Sequence, residues 1–261
     1  MEFIYDEQDA LTWANFSGDF NPIHFDLDKA LSMGMSALTV HGMRALLDLK
    51  NVLSESVASQ YAGDYHFVAR LRQPVKCRTR CRITLGLHSQ MAHVSGQLSE
   101  VATEQVCFSG RLAPAKLPLT EHAVLNQQIS EEQILAWYRL LPGAQQKRAL
   151  WVFLDALLFQ RIVHASDTVD YLKKVMPGLQ VSSLADVFQC IPIVQTHHEV
   201  HFGSELLTLC GETLPAGPLL YGFLPPLILG DSKQGYIIRM AAEGEYGSGR
   251  RITTTITLKA W

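Results

Sequence analysis

Cysteine is scarce in this chain: there are five in 261 residues, at 77, 81, 107, 190 and 210, and no CxxC pair among them. Thiols this sparse and scattered exclude a disulfide framework, a zinc ribbon and a thioredoxin-like centre. They read as reduced, partly buried side chains of a cytoplasmic protein. A surplus of positive charge is also missing. With a formal net charge of -3 and a pI near 6.4, general binding to nucleic acid or anionic membranes is not expected. No stretch suits a membrane span. Trp151 to Phe159 is short and carries Asp155, while Pro218 to Gly230 contains Pro225-Pro226, so both read as core. The opening residues, Met1 to Glu7, are acidic and lack the basic-then-apolar order of a secretory signal. What is present is a hydrophobic fraction of 48% against 18% charged residues, enough for one large core or two small ones.

The chain divides near its middle. Ala113 to Leu117 ends a strand-like region, and Ser130 with Gln133 forms a capping-box pattern that opens a helix. This gives a first half over 1–112, a linker over 113–128 and a second half over 129–261. In the first half the pattern predicts a short helix from Asp9 to Phe16, a polar loop from Ser17 to His24 and a longer helix from His41 to Val57. Strands follow at Tyr65–Leu71, Val75–Leu87, Met91–Val101 and Gln105–Leu112, joined closely enough for antiparallel pairing. The second half repeats this order, with helices over 146–164 and 167–175. Strands are expected there at 193–202, 205–212, 235–243 and 250–258. The repeated order suggests a duplication without shared sequence.

The chemistry concentrates in Ser17-Gly18-Asp19-Phe20-Asn21-Pro22-Ile23-His24, followed at a distance by Val40-His41-Gly42-Met43. Taken singly, an Asp beside a Gly is an ordinary turn residue and an isolated His an ordinary polar group. Together, a carboxylate and an imidazole on one short loop can exchange protons near neutral pH. Gly18 lets the loop turn and Pro22 stiffens it.

These two elements resemble the MaoC-like (R)-specific enoyl-CoA hydratase and 3-hydroxyacyl dehydratase family, whose signature is a GDxNPxH loop with HGM downstream. The resemblance covers about residues 5–112. It implies an α+β double hotdog: two antiparallel sheets, each wrapped around a central helix, packed side by side. It also implies hydration or dehydration of an enoyl or 3-hydroxyacyl thioester carried on CoA or acyl carrier protein. No cofactor is expected beyond the CoA or phosphopantetheine that carries the substrate, and no metal. By this resemblance Asp19 and His24 form the catalytic pair on one water, and Asn21 positions the loop. Gly42 offers its backbone N–H to the thioester oxygen at a helix amino terminus, where a side chain would obstruct the thioester. The sequence departs from the family in lacking a proline within Ser36 to Thr39, and in carrying Arg44, Asp48 and Lys50 after the HGM element.

The second half has neither motif, so it is expected to form a non-catalytic wall of the acyl or pantetheine tunnel. Its His197, His198 and His201 suit a strand better than a metal helix, with His197, Glu199 and His201 on one face. Lys76, Arg78, Arg80 and Arg82 alternate along the expected strand from Val75 to Ile83. Period two would put all four on one outer face, as a docking strip for CoA phosphates or an acidic carrier protein unless neighbouring acids such as Glu100 and Glu104 offset it. A hotdog thioesterase and a non-catalytic acyl-binding subunit are the competing readings. A monomeric double hotdog and a homodimer both fit the pattern.

Overall fold

The computed structural model describes residues 1–57, 63–86, 93–116, 122–143, 146–176, 178, 180–207, 209–210, 214 and 216–261. The first half contains β1 (Glu2–Ile4), α1 (Glu7–Ser17), α2 (Leu27–Ser32), β2 (Thr39–Val40), α3 (Gly42–Ser56), β3 (Asp64–Leu71), β4 (Val75–Lys76), β5 (Arg80–Gly86), β6 (Val94–Glu100) and β7 (Val106–Ala115). The second contains β8 (Gln127–Ile129), α4 (Glu131–Leu140), β9 (Arg148–Ala149), α5 (Leu150–His164), α6 (Ser166–Val175), α7 (Leu184–Cys190), β10 (Ile193–Gly203), β11 (Leu209–Cys210), β12 (Leu219–Asp231), β13 (Gly235–Tyr246) and β14 (Arg250–Ala260). The capping box at Ser130 is formed.

One large antiparallel sheet runs through the molecule in the order β1-β5-β6-β7-β3-β10-β14-β13-β12-β8. Its two five-strand halves follow the same chain order outward from the central β3–β10 pair, which closes the sheet between them with His201 opposite His66. Each half folds over its own helix, α3 or α5. This is the double hotdog. The stripe of α3 that faces inward is Met43, Leu46, Leu47, Leu49 and Leu53, all buried. Helix α5 is apolar on nearly every side because it is covered by its own strands β13 and β14, by α1 and α7, and by α3. At the seam, Trp151 stacks on Phe202 at 4.5 Å between ring centroids, and its indole N–H donates to Ser54 Oγ at 3.0 Å.

Three expectations need correction. The strand expected from Val75 to Ile83 is broken at Arg78, whose φ of 59° is left-handed. Lys76 lies on β4, which pairs with β2, whereas Arg80 and Arg82 lie on β5 in the main sheet, so the four basic residues do not share one strand face. The expected strand 205–212 is a 3-10 turn, Ser204–Leu207, then the two-residue β11; residues 208 and 211–212 lie outside the described residues. The segment Pro218 to Gly230, read as core, is mostly β12. A register shift between Leu224 and Leu227 accommodates Pro225-Pro226 beyond the point where β8 pairs, on an open edge where a missing N–H costs little. Leu219 and Tyr221 are core, but Leu227 and Leu229 are more than half exposed.

At the ends of the other expected strands, β7 continues to Ala115 and β6 begins at Val94; residues 87–92, where one strand was expected to end and the next to begin, lie outside the described residues.

Candidate functional site

The end of α1 shapes the polar loop. Gly18 caps the helix with φ 79°, and a Cβ there would lie 2.3 Å from the His164 ring at the end of α5, so any other residue meets both strain and a clash. Beyond it the loop holds itself. The Asp19 N–H donates to Ser17 Oγ at 3.1 Å, and the Asn21 N–H donates to Asp19 Oδ1 at 3.2 Å. The Asn21 side chain accepts from the Ile23 N–H at 3.3 Å, capping the 3-10 turn Pro22–His24. Its amide donates to the Ile193 carbonyl at 3.4 Å, tying the loop to the second half.

These contacts bring three titratable groups together. A carboxylate oxygen of Asp19 and ring nitrogens of His24 and His41 lie within 4.8 Å of one another, a span that one water can bridge. The Thr39 carbonyl lies 2.8 Å from His24 Nδ1, so Nδ1 carries the proton and Nε2 is free to accept one. His41 donates from Nε2 to the Asp19 carbonyl at 2.8 Å and stacks on His24 at 3.6 Å between centroids. Its Nδ1 has no partner among the described residues.

Burial sets the protonation. Desolvation raises the Asp19 carboxyl to about 7, against the lowering effect of the Asn21 N–H. Desolvation lowers His24 to about 4, against the raising effect of the Thr39 carbonyl. His41 is lowered well below the usual imidazole range by desolvation first and by neighbouring His24 second.

The three groups open into a cavity of about 230 Å³ between the two halves, with Met43 and Phe108 on one side and Phe159, Phe188 and Leu258 on the other. The second half does supply a wall. Gly42 begins α3 at this cavity, and no side chain caps the helix there. As one of the first residues of the helix, Gly42 has an N–H with no partner inside α3. A Cβ at Gly42 would lie 2.5 Å from Cδ2 of Leu71, itself a cavity-lining residue, so a side chain there would have to displace part of the cavity wall. In the second half only residues 141–147 separate α4 from β9, whereas residues 18–38 separate α1 from β2. The chain has no room there for a second loop.

The remaining candidates lie apart from the cavity. Lys76 is 3.1 Å from Glu100, Arg78 is 3.1 Å from Glu7, and Arg82 and Arg80 are 2.8 and 3.8 Å from Glu2. The basic residues are thus offset within the chain, as expected for Glu100 but mainly by amino-terminal acids whose proximity sequence reasoning did not foresee. His197, Glu199 and His201 share the outer face of β10, and His198 turns inward. His201 stacks on His66 at 3.8 Å with the rings 9° from parallel, and one ligand atom each of His66, Glu199 and His201 lie within 4.8 Å of one another; Glu199 is also 3.8 Å from His66 and 3.4 Å from Arg239. Among the polar cavity residues, sequence reasoning missed Thr39, Arg72, Gln73, Gln195 and Thr196, and also His41, although its motif was noted.

No protein-family model matches the chain, and no curated protein matches it in sequence. Solved structures match its whole length. A chain described as a MaoC domain dehydratase from Chloroflexus aurantiacus J-10-fl superposes with a TM-score of 0.53 at 9% identity, covering 100% of this chain and 93% of its own. A conserved hypothetical protein of Mycobacterium tuberculosis with a double hotdog fold gives 0.51 at 10% identity, with the same coverage. At such identity the likeness is one of fold: this chain has the double hotdog architecture of MaoC-type dehydratase structures.

Proposed function

We propose that the protein interconverts (R)-3-hydroxyacyl and trans-2-enoyl thioesters, with Asp19 and His24 as the proton-exchanging pair and the Gly42 N–H as donor to the thioester oxygen. The observation that carries this reading is the meeting of an Asp19 carboxylate oxygen and a His24 ring nitrogen within 4.8 Å in a cavity at the amino terminus of α3, where burial moves the two groups in opposite directions, Asp19 to about 7 and His24 to about 4. Hydration of an enoyl thioester takes a proton from water as oxygen bonds to Cβ and delivers a proton to Cα; dehydration reverses both. A pair that holds one proton in total can do either. One member accepts while the other donates, and the product state still holds one proton.

The sharing of that proton follows from folding. Between about pH 4 and 6.5 the unfolded chain carries it on His24, with Asp19 ionised; the folded chain carries it on Asp19, with His24 neutral. The count is equal in both states, so this pair leaves stability flat with pH across that window. From about 6.5 to 7 only the folded state retains the proton, and stability falls as pH rises.

A bell-shaped profile of kcat/KM is therefore expected, with apparent limbs near 4 and 7 that belong to the pair. If one group did all the transfer and Asp19 served only as a carboxylate, activity would instead climb through pH 7 to a plateau. A pH series of initial rates separates the two.

The carrier is CoA or acyl carrier protein. Arg78, Arg80 and Arg82 sit in exposed, solvent-screened ion pairs, which an acidic carrier can exchange. Changing all three to Gln is expected to raise KM for a carrier-bound substrate a few-fold, to weaken its salt dependence and to leave kcat unchanged. Wild-type behaviour across a salt series would make the strip a solvated edge.

The reaction itself is tested by mass spectrometry of enoyl and 3-hydroxyacyl thioesters of varied length on both carriers. A gain or loss of one water is expected. Release of free thiol would identify a thioesterase, and binding without turnover a non-catalytic subunit.

A further inference from the structure

The mechanism leaves one buried cluster unused. Lys50 of α3, Asp155 of α5 and His198 of β10 are fully buried where the two halves meet. Asp155 accepts from Lys50 Nζ, from His198 Nε2 at 2.9 and 3.1 Å and from Thr254 Oγ1 at 2.9 Å. His198 Nε2 also lies 3.2 Å from Lys50 Nζ, but both carboxylate oxygens are nearer and can only accept, which assigns the proton to Nε2 and leaves His198 Nδ1 as an acceptor. The group it faces is the side-chain amide of Gln195, at 3.2 Å.

Gln195 reaches this position through a backbone irregularity. Strand alternation from His198 would turn Thr196 inward and Gln195 outward. The β10–β14 register shifts between Gln195 and His197, and the bulge returns Gln195 to the inner side, beside His198 and on the cavity wall. The amide's two N–H groups are directed at His198 Nδ1 and at the His197 carbonyl, 3.3 Å away, with Met43 Sδ at 3.7 Å. The Gln195 carbonyl oxygen has no protein partner among the described residues. An amide cannot rotate to offer its N–H instead without losing both bonds and placing its oxygen against the His198 lone pair.

We propose that Gln195 is a substrate-binding residue that presents a fixed hydrogen-bond acceptor to an N–H or O–H of the thioester ligand, with His198, Asp155 and Lys50 as its positioning residues. The inference rests on the proposed thioester chemistry and deepens it. The shared chemistry is a donor group on the ligand, and two sources supply one: the amides of the pantetheine arm, and the 3-hydroxyl of the hydroxyacyl chain. An acceptor held this way discriminates, because a ligand without the donor leaves a desolvated carbonyl unpaired.

The test measures binding separately from turnover. Gln195→Met keeps length and removes the acceptor, and it is compared with Gln195 in an Asp19→Asn/His24→Ala background, which lacks both proton-exchanging groups. Dissociation constants are measured by calorimetry for 3-hydroxybutyryl-CoA, crotonyl-CoA and butyryl-CoA. A 3-hydroxyl donor predicts about tenfold weaker binding of the hydroxyacyl ligand alone, and a pantetheine donor predicts the same loss for all three. Equal affinities in the two proteins, or loss only where unfolding transitions show damage, would overturn the proposal. His198→Phe should reproduce the pattern of Gln195→Met, since the amide is then free to turn; a loss of stability without that pattern would make the buried cluster purely structural. If wild type binds these ligands but never hydrates them, the dissociation constants still decide for or against Gln195, and only the reaction assignment fails.

Discussion

Asp19→Asn and His24→Ala are each expected to lower turnover by about 10²–10⁴-fold, the range attributed to a positioned acid or base. The amide that replaces the carboxyl in Asp19→Asn would keep its size and the acceptor oxygen that the Asn21 N–H uses, so the loop has no reason to move. What the variant loses is a group that can hold or release a proton near pH 7. The upper limb of the pH profile should disappear with it. His24→Ala removes the free Nε2 while the Thr39 carbonyl it capped remains near solvent in the cavity. Purified variants with wild-type unfolding transitions and near-wild-type rates would remove both residues from the mechanism, and initial rates with both enoyl and hydroxyacyl substrates provide that check.

The largest effect on stability is expected from Asp155→Ala. Lys50 would then be left fully buried with no carboxylate, and His198 and Thr254 would each lose an acceptor. Removing one partner of a buried pair costs about 3–5 kcal/mol. Desolvation already lowers the Lys50 ammonium, opposed only by Asp155, so in the variant Lys50 would favour its neutral form and limit the cost. Desolvation by itself would raise the Asp155 carboxyl, but His198 and Lys50 together hold it well below the usual range. A depressed carboxyl contributes stability above its unfolded pKa of about 3.9 that is lost as pH falls further. Replacing both residues, Lys50→Met with Asp155→Leu, should recover most of the loss, because apolar groups of similar volume do not need the charges. Denaturant unfolding of the single and double variants gives the comparison. A single variant within 1 kcal/mol of wild type, on the order of an exposed pair, would mean that water reaches the cluster.

The same cluster explains a departure from family pattern that the sequence presented only as an oddity. Lys50 after the HGM element looks out of place on an apolar helix. In three dimensions it points across the seam to Asp155, the residue that interrupts the apolar run from Trp151 to Phe159. Each charge is legible in the sequence, yet their pairing joins residues 105 positions apart, and no local pattern encodes that.

The sequence by itself determined much of this protein. Its helical and strand periods located α1, α3, α5 and most of the strands, because side-chain alternation is a local property of the backbone. The spacing of Gly18, Asp19, Asn21 and His24 identified the candidate loop, since a tight turn and a short reach are also local. Tertiary structure decided the rest. Whether Asp19 and His24 titrate near 7 and near 4 depends on water excluded by residues from both halves. Arg78 broke a strand that looked continuous, because its left-handed turn is fixed by the Tyr5 carbonyl, which accepts from its N–H at 2.6 Å, far from it in the chain. Glu2 reaches Arg80 and Arg82 only once β1 pairs with β5. Gln195 faces the cavity because of a bulge in one ladder, and a bulge belongs to two paired strands; one of them alone does not specify it.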